Sequence, residues 1–465
     1  MHKFEFSKAK SLSNDGEFDY NNFLVRLKKL TNDDIALFDP ILDENFDWGK
    51  WKINNYEYAI KSINAISTLI HEYTHFLDTT ATTWGDQYTY RKLLVLENYN
   101  IGSDKLLNQI DVFRLNISEI KDLHTDLVRI SNSNYNEMTV MNHAYSYSED
   151  HGPIIYIVLN YKNGSQDYIP VSMLAVNEGH AFCNEMIFKF KLCQKINDDS
   201  LKNTLVSIFE KDFEKILNST EQAEYNILLK LCHIHFKNNF SIEEILTITS
   251  IILGFSLDCD DILLTSLSHA FDNDFYSNKR LAQALIHDMR RGHSRHFLAF
   301  KLIIIIYLMY NDQNNDYQPI VRKIAKNEDG RKNLSILLEY ALGEKILDLS
   351  FLKDEMLKNL ITTTQKYNNN YILEEISSNR ITYPLNSYII ENLNDYKALS
   401  FLLADDTIIK LKNSIDLDIK NYFLEDLDDS FSILNDAYDN VKKFHMNPNE
   451  VEIFLNGIRK QYQIN

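Results

Sequence analysis

Apolar residues recur at helical spacing through a long segment without helix breakers. Between residues 51 and 84 the chain has no proline or glycine, and steps of three and four residues separate the members of one apolar stripe. The stripe comprises Ala59, Ile63, Ile66, Ile70, Tyr73 and Leu77. This period predicts an amphipathic helix with the stripe facing the core, and we expect Gly85 to end it.

A different pattern, typical of β-strands, lies between residues 153 and 171. Residues 154 to 161 are almost entirely apolar and β-favouring, and a second short run covers residues 168 to 171. Asn163-Gly164 between them suits a type I′ turn, so the pattern predicts a β-hairpin. Pro170 cannot donate a backbone hydrogen bond, so the second strand is expected to be an edge strand or to end there.

Helical periods dominate beyond residue 200. They predict successive helices at residues 201–217, 221–235, 242–253, 280–289 and 297–310. No fixed interval relates these helices, which argues against a solenoid. The polar run at residues 311–316 is a predicted loop. We therefore divide the chain into an N-terminal segment (1–50), a core (51–196) and two helical regions (197–315 and 316–465).

Two histidines in the first predicted helix stand at metal-binding spacing. Residues 71 to 75 read His-Glu-Tyr-Thr-His. Positions four residues apart share a helix face, so His71 and His75 could bind one ion beside a cleft, with Glu72 as the general base. This HExxH pattern is typical of zinc hydrolases, chiefly metalloproteases. The non-functional interpretation is a pair of ordinary histidines with a salt-bridging glutamate.

A catalytic zinc site needs a third protein ligand and one position open for water. Residues 177 to 181 read Asn-Glu-Gly-His-Ala and contain the candidates Glu178 and His180. These two are about 200° apart round a helix, so they cannot easily bind the same ion. Glu185, seven residues after Glu178, shares its helix face and is the stronger rival.

The two strings together resemble the gluzincin clan of zinc metallopeptidases. Asn-Glu-Gly-x-Ala surrounds the third zinc ligand in the aminopeptidase branch of that clan, and this resemblance selects Glu178. It implies a zincin-like α+β core that binds Zn²⁺ through His71, His75 and Glu178. Gly179 and Ala181 are small, so we expect the second helix to pack closely on the first.

The chain also departs from that clan. The interval from His75 to Glu178 is 103 residues (178 minus 75), far longer than in the aminopeptidases. Their Gly-x-Met-Glu-Asn string is absent from the sequence, which favours an endopeptidase. The metzincin extension is excluded because Asp78 and Ala81 stand where glycine and histidine would be required.

Further polar residues near these motifs have two interpretations each. Asp78 could orient a zinc-binding imidazole from the same helix, or it could be a surface carboxylate. The hairpin could accept a substrate peptide as an added strand, or it could serve the core alone. A polar stretch that we read as a turn-rich loop contains candidate donors to an oxyanion, with no preference among them: His143, Tyr145, Tyr147 and His151.

The most basic stretch of the chain lies at residues 287 to 296, which read His-Asp-Met-Arg-Arg-Gly-His-Ser-Arg-His. It could reach over the site and bind a substrate carboxylate. Alternatively, it could form a basic loop that balances nearby acids.

Composition limits the remaining function classes. The formal charge is 48 minus 66, or −18, without a basic tract, which argues against nucleic-acid binding. The longest apolar run, residues 302 to 310, is too short to span a bilayer, so we expect no membrane partner. The first residues lack an apolar signal-peptide region and the four cysteines show no pairing pattern, so we expect a cytoplasmic protein.

The sequence therefore predicts a mainly α protein with a zincin-like α+β core, a small β-hairpin and a large all-helical region behind it. We expect a zinc-dependent metallopeptidase, an endopeptidase of narrow specificity that cleaves a peptide or protein substrate. The alternatives are a non-catalytic regulatory or binding protein that retains the metal site, and a helical scaffold in which the motif arose by chance. The helical C-terminal half could also bind a protein partner.

Overall fold

The computed structural model describes residues 11, 15–20, 23–98, 138–148, 152–219, 222–259, 264–265, 267–268, 279–290, 292, 295–313, 316–346, 390, 393, 399–412 and 414–415. Within these residues the chain is mainly α-helical with a small β part, as predicted. The α-helices are α1 (Asp39–Leu42), α2 (Tyr56–Ala81), α3 (Thr83–Asn98), α4 (Met173–Gln194), α5 (Asp199–Leu217), α6 (Ala223–Phe236), α7 (Ile242–Asp258), α8 (Lys279–Arg290), α9 (Arg295–Tyr310), α10 (Gln318–Ala325) and α11 (Gly330–Ile346). The strands are β1 (Gly16–Phe18), β2 (Val25–Leu27), β3 (Met138–Ser148), β4 (Gly152–Tyr161), β5 (Gln166–Val171), β6 (Phe401–Leu403) and β7 (Ile408–Ile409).

Helices α2 and α4 pack against each other at the centre of the fold and carry both metal-related strings. The predicted stripe of α2 is buried, apart from the partly buried Leu77. Helix α4 also packs against α5, α6 and α7, so it is buried on nearly every side. Ser172 caps its N-terminus by accepting a hydrogen bond from the Ala175 N–H. Polar residues on such a helix need specific partners, and these partners define the site.

The first long helix ends earlier than the sequence pattern predicts. Helix α2 stops at Ala81, Thr82 is extended, and α3 begins at Thr83. The prediction that Gly85 ends the helix is wrong, because Gly85 lies in the first turn of α3. A Cβ at this position would lie 2.2 Å from the Thr79 carbonyl oxygen. Glycine therefore lets the start of α3 fold back against the end of α2.

The predicted β-hairpin is confirmed as β4 and β5. Pro170 pairs with Tyr156, and β5 is an edge strand within the described three-stranded sheet, whose order is β3-β4-β5. The turn differs from the predicted type I′. Gly164 has a φ of 81°, but Asn163 has no positive φ, and a type I′ turn requires one at both positions.

Strand β3 corrects the predicted polar loop. His143, Tyr145 and Tyr147 lie in this strand, which pairs with β4 in antiparallel register. The alternation of these residues along the chain is the period of a strand, and it was the signal for this strand in the sequence. His151 lies outside the described residues.

A second sheet joins strands from residues 16–27 with strands from residues 401–409, in the order β1-β2-β6-β7. Strand β2 pairs with β1 in antiparallel and with β6 in parallel orientation, and both β1 and β2 pack on α2. Arg26 supports the arrangement by donating to Asp406, with an N–O distance of 2.8 Å. The Tyr73 hydroxyl of α2 donates to the Leu399 carbonyl. The N-terminal strands are therefore held against α2 by residues near position 400.

The helices predicted beyond residue 200 correspond to α5 to α9, with ends shifted by a few residues. Arg295 at the start of α9 is fully buried and donates to the carbonyls of Ser256, Leu257 and Cys259 at the end of α7. It therefore caps a helix end that would otherwise have unsatisfied carbonyls. Of the remaining basic stretch, His287 and Arg290 are exposed. No described helix has the length and apolar character needed to cross a membrane.

Candidate metal centre

His71 and His75 of α2 and Glu178 of α4 form one buried group. Glu178 Oε2 lies 3.3 Å from His71 Nε2 and 3.4 Å from His75 Nε2. One ligand atom from each residue lies within 4.8 Å of the other two. Ligand atoms about 2.05 Å from a tetrahedral zinc ion are about 3.3 Å apart. The fold thus brings the three predicted ligands together in a group that could hold a metal ion.

The atoms of this group fit a cation. His75 Nε2 is buried and has no hydrogen-bond partner among the described residues. A buried polar atom without a partner is unfavourable, and a bound cation would satisfy it. Two imidazoles and a carboxylate form a donor set that suits divalent transition metals such as Zn²⁺.

The other nitrogen of each imidazole contacts a residue outside this group. His71 Nδ1 lies 3.1 Å from Glu185 Oε2, and Lys189 in turn donates to Glu185 Oε1 at 2.8 Å. His75 Nδ1 lies 3.1 Å from the hydroxyl oxygen of Tyr20. If one metal ion bound the Nε2 atoms of both histidines, each Nδ1 would carry a proton. Each Nδ1–H would then donate a hydrogen bond to its oxygen partner. Glu185, the rival ligand, therefore supports His71 from the opposite side of its ring.

The position of Tyr20 was not predicted from the sequence. Its hydroxyl reaches His75 because Tyr20 follows β1, which packs on α2. Burial raises the pKa of Tyr20 well above its usual value, and the nearby carboxylates of Glu178 and Asp78 raise it further. Tyr20 thus remains a neutral phenol. No local pattern in the first 50 residues marks it, because its role depends on the pairing of β1 with β2.

Asp78 takes neither of the two roles considered from the sequence. Both of its carboxylate oxygens lie 3.0 Å from His180 Nδ1, and both side chains are buried. Asn184 Nδ2 approaches His180 Nε2 at 3.3 Å, and the Ser250 hydroxyl donates to Asn184 Oδ1 at 3.1 Å. This chain of polar contacts joins α2, α4 and α7 beside the metal-binding group.

Gly179, which follows Glu178, packs against other helices than the one predicted. A Cβ on Gly179 would lie 3.3 Å from the Leu253 side chain and 3.7 Å from the Tyr225 carbonyl oxygen. Gly179 therefore allows α6 and α7 to approach α4. Helix α4 does pack on α2 as expected, but Gly179 does not face that contact.

Glu72 lies next to the group and is fully buried. Its Oε2 accepts a hydrogen bond of 2.7 Å from the Ser11 hydroxyl, and its Oε1 has no hydrogen-bond partner among the described residues. Burial raises the pKa of Glu72, and the charges of His71 and His75 oppose that rise only in part. A carboxylate with a raised pKa is suited to proton transfer near neutral pH.

Without a metal, the carboxylates and imidazoles of the group stabilise each other's charges. Burial by itself lowers the pKa of His71, but hydrogen bonds with Glu178 and Glu185 outweigh it and raise that pKa to about 10. Burial by itself raises the pKa of Glu178, but the imidazoles of His75 and His71 outweigh it, and the pKa is lowered. Lys189 and His71 likewise lower the pKa of Glu185 to about 2 against the effect of burial. A proton therefore occupies the group when a metal does not.

The site does not line an open cleft, contrary to our expectation. His71 is 3% exposed, and His75, Glu178 and Glu72 are 0% exposed. Of the candidate oxyanion donors, His143 packs edge-on against Phe300, with ring centroids 5.2 Å apart.

The chain matches no protein-family model, and it matches no curated protein and no solved structure. Functional inference for this chain therefore rests on its own residues and their geometry.

Proposed function

We propose that the protein is a zinc-dependent metallopeptidase with a gluzincin-like site. The observation that carries this proposal is the approach of Glu178 Oε2 to both His71 Nε2 and His75 Nε2. Glu178 was selected by a second string 103 residues beyond His75 (178 minus 75). If the HExxH string were accidental, nothing would require the fold to bring Glu178, which was selected from a separate string, close to both histidines. The agreement of the two strings in space supports a functional site.

Each residue of the group has a distinct task in this proposal. His71, His75 and Glu178 would hold Zn²⁺, which when bound polarises a carbonyl and lowers the pKa of water to about 7. Glu185 and Tyr20 would fix the orientation of the two imidazole rings through their Nδ1 atoms. The ligands would thereby keep their geometry during the reaction.

Glu72 would carry the proton. Its carboxylate would accept a proton from the attacking water and deliver it to the nitrogen of the leaving amine. Because burial raises the pKa of Glu72, the protonated form is more accessible than for an exposed glutamate. This favours the second half of the transfer, in which Glu72 acts as an acid.

The burial of the site supports narrow specificity. All four central side chains are nearly inaccessible in the described conformation. A substrate must therefore displace part of the chain before its scissile bond reaches Glu72. Only a peptide that makes favourable contacts of its own can compensate for that displacement.

The decisive experiment combines metal analysis with hydrolysis of a peptide library, with and without a chelator. We expect about one zinc per chain. Glu72→Gln should retain the metal and lose about 10²–10⁴-fold or more of the hydrolysis rate. Unchanged hydrolysis in Glu72→Gln would contradict the proposed mechanism, although it would leave the metal site intact.

A non-catalytic metal-binding protein is the second candidate. It is favoured by the complete burial of Glu72 and by the hydrogen bond that its Oε2 accepts from Ser11. This candidate predicts zinc in the purified protein but no hydrolysis of any library peptide. Glu72→Gln would then affect neither property.

A further inference from the structure

Ser11 occupies the outer edge of β1. The odd-numbered residues on either side of β1 direct their backbone groups to the β2 side: the Lys28 N–H donates to the Asp15 carbonyl, and the Asp19 N–H donates to the Leu24 carbonyl. Since successive residues of a strand direct their peptide groups to opposite edges, Phe18 faces away from β2. Its backbone groups are taken by Ser11. The Ser11 N–H donates to the Phe18 carbonyl at 2.9 Å, and the Phe18 N–H donates to the Ser11 hydroxyl oxygen at 2.9 Å.

The same hydroxyl reaches the proposed general base. Ser11 Oγ donates to Glu72 Oε2 at 2.7 Å, and the Ser11 residue is buried. One side chain therefore joins the outer edge of β1 to the carboxylate that would activate water. A peptide that added to β1 as a further strand would need the same Phe18 N–H and carbonyl groups. Ser11 excludes such a peptide while it is in place.

Neighbouring residues complete the cover over the site. A Cβ on Gly16 would lie 2.4 Å from Glu72 Oε1, so the β1 backbone rests directly on this carboxylate. The Phe18 ring stacks near His75, with ring centroids 6.2 Å apart, and the Tyr20 hydroxyl contacts the same histidine. Residues 15 to 20 and Ser11 thus cover Glu72 and His75 from one side.

We propose that Ser11 is an intramolecular inhibitor, which holds the general base and the outer edge of β1 until it is displaced. This inference rests on the proposed peptidase function, because it assigns Ser11 to the position of the substrate. The chemistry of its contacts defines the competitor. An extended peptide that offers a backbone N–H and a carbonyl to Phe18 would replace Ser11 and free Glu72 Oε2.

The test uses the full chain loaded with Zn²⁺ and two substitutions. Ser11→Ala removes the hydroxyl. Ser11→Pro removes the hydroxyl and also the backbone N–H that donates to the Phe18 carbonyl. Ser165→Ala is a matched control, because the exposed Ser165 hydroxyl donates to Asn163 Oδ1 at the same distance, 2.7 Å. Circular dichroism and the melting temperature establish that each variant is folded.

Two rates are measured on each variant: removal of Zn²⁺ by 1,10-phenanthroline, and hydrolysis of the peptide library. We expect both rates to rise in Ser11→Ala and to rise further in Ser11→Pro, by about tenfold or more, since a hydrogen bond to a charged group is lost. Ser165→Ala should behave like the wild-type protein. Hydrogen exchange at the Phe18 amide should accelerate in the two Ser11 variants.

The outcomes separate the two proposals. If the wild-type protein hydrolyses peptides and neither Ser11 variant hydrolyses them faster, inhibition by Ser11 is overturned and the peptidase function stands. If no variant hydrolyses any peptide but phenanthroline removes Zn²⁺ faster from Ser11→Pro, the peptidase function fails and the covering role of Ser11 stands.

Discussion

Glu185 Oε2 lies 3.1 Å from His71 Nδ1, on the opposite side of the imidazole from the nitrogen that approaches Glu178. Lys189, one helical turn beyond Glu185, donates to the other carboxylate oxygen. The two glutamates on one face of α4 thus have different tasks. In the proposed site, Glu178 would bind the metal, and Glu185 would fix the imidazole ring that binds it.

Replacing Glu185 should weaken the metal site without removing it. In Glu185→Gln the side chain keeps its size but loses the charge that favours a proton on His71 Nδ1. We expect zinc affinity to fall by about 10–100-fold, as is typical when the outer partner of a metal-binding histidine is lost. Competition with a fluorescent chelator measures the change, and Glu57→Gln on the exposed start of α2 is the control. An unchanged affinity would argue against the orienting role.

Replacing Glu178 should have a larger effect. Glu178→Ala removes the oxygen that approaches both histidines, so only two protein ligands are left for the ion. Zinc content per chain, measured by atomic emission on protein purified without added metal, should fall from about one towards zero. Zinc content equal to that of the wild-type protein would place the third ligand elsewhere.

Metal binding should release a proton. The pKa of His71 is about 10 in the metal-free protein, so a metal must displace a proton at neutral pH. Affinity should therefore increase by about tenfold per pH unit between about pH 7 and about pH 10. Calorimetry at about pH 8 in buffers of different ionisation enthalpy should give about one proton released per ion. Release of no proton would contradict the raised pKa.

His71 should also make the stability of the metal-free protein fall as the pH rises above neutrality. The pKa of His71 is raised by folding, from 6.5 to about 10, so the folded state binds the proton more tightly than the unfolded state. Its contribution to stability is complete below about pH 6.5 and is lost as the pH rises towards about 10. Urea unfolding across this window should show a smaller loss in His71→Ala than in the wild-type protein.

The contact between Asp78 and His180 should stabilise the junction of α2 and α4. Both side chains are buried, so Asp78→Ala leaves His180 Nδ1 without its carboxylate. We expect the free energy of unfolding to fall by about 1.5–3 kcal/mol. A double-mutant cycle with His180→Ala, followed by urea unfolding, isolates the pair. Strictly additive effects of the two substitutions would show that the contact contributes nothing.

Local patterns in the sequence predicted much of the fold. The stripe from Ala59 to Leu77 predicted α2, and helical periods predicted α5 to α9, because helix formation depends on residues three and four positions apart. The spacing of His71 and His75 places them on one helix face for the same reason. Glu178 came from its resemblance to a known string, and the fold brings it to both histidines.

Contacts between separate helices and strands could not be read in the same way. Strand β3 was mistaken for a loop, because its alternating residues His143, Tyr145 and Tyr147 are polar rather than apolar, and the strand is defined by its pairing with β4. Gly85 was expected to end a helix, although its actual constraint is the close approach of the Thr79 carbonyl. Both errors arise because a strand pair or a close approach is a property of two segments together.

The helical spacing of His71, Glu72 and His75, and the apolar stripe that buries their helix, follow from the local amino-acid sequence. The groups that surround these three residues depend instead on how the chain packs. Ser11 reaches Glu72, and Tyr20 reaches His75, because β1 pairs with β2 and both strands pack on α2. The physical reason is that these contacts depend on chain packing across large sequence separations, whereas the spacing within a helix is set locally by its 3.6-residue turn.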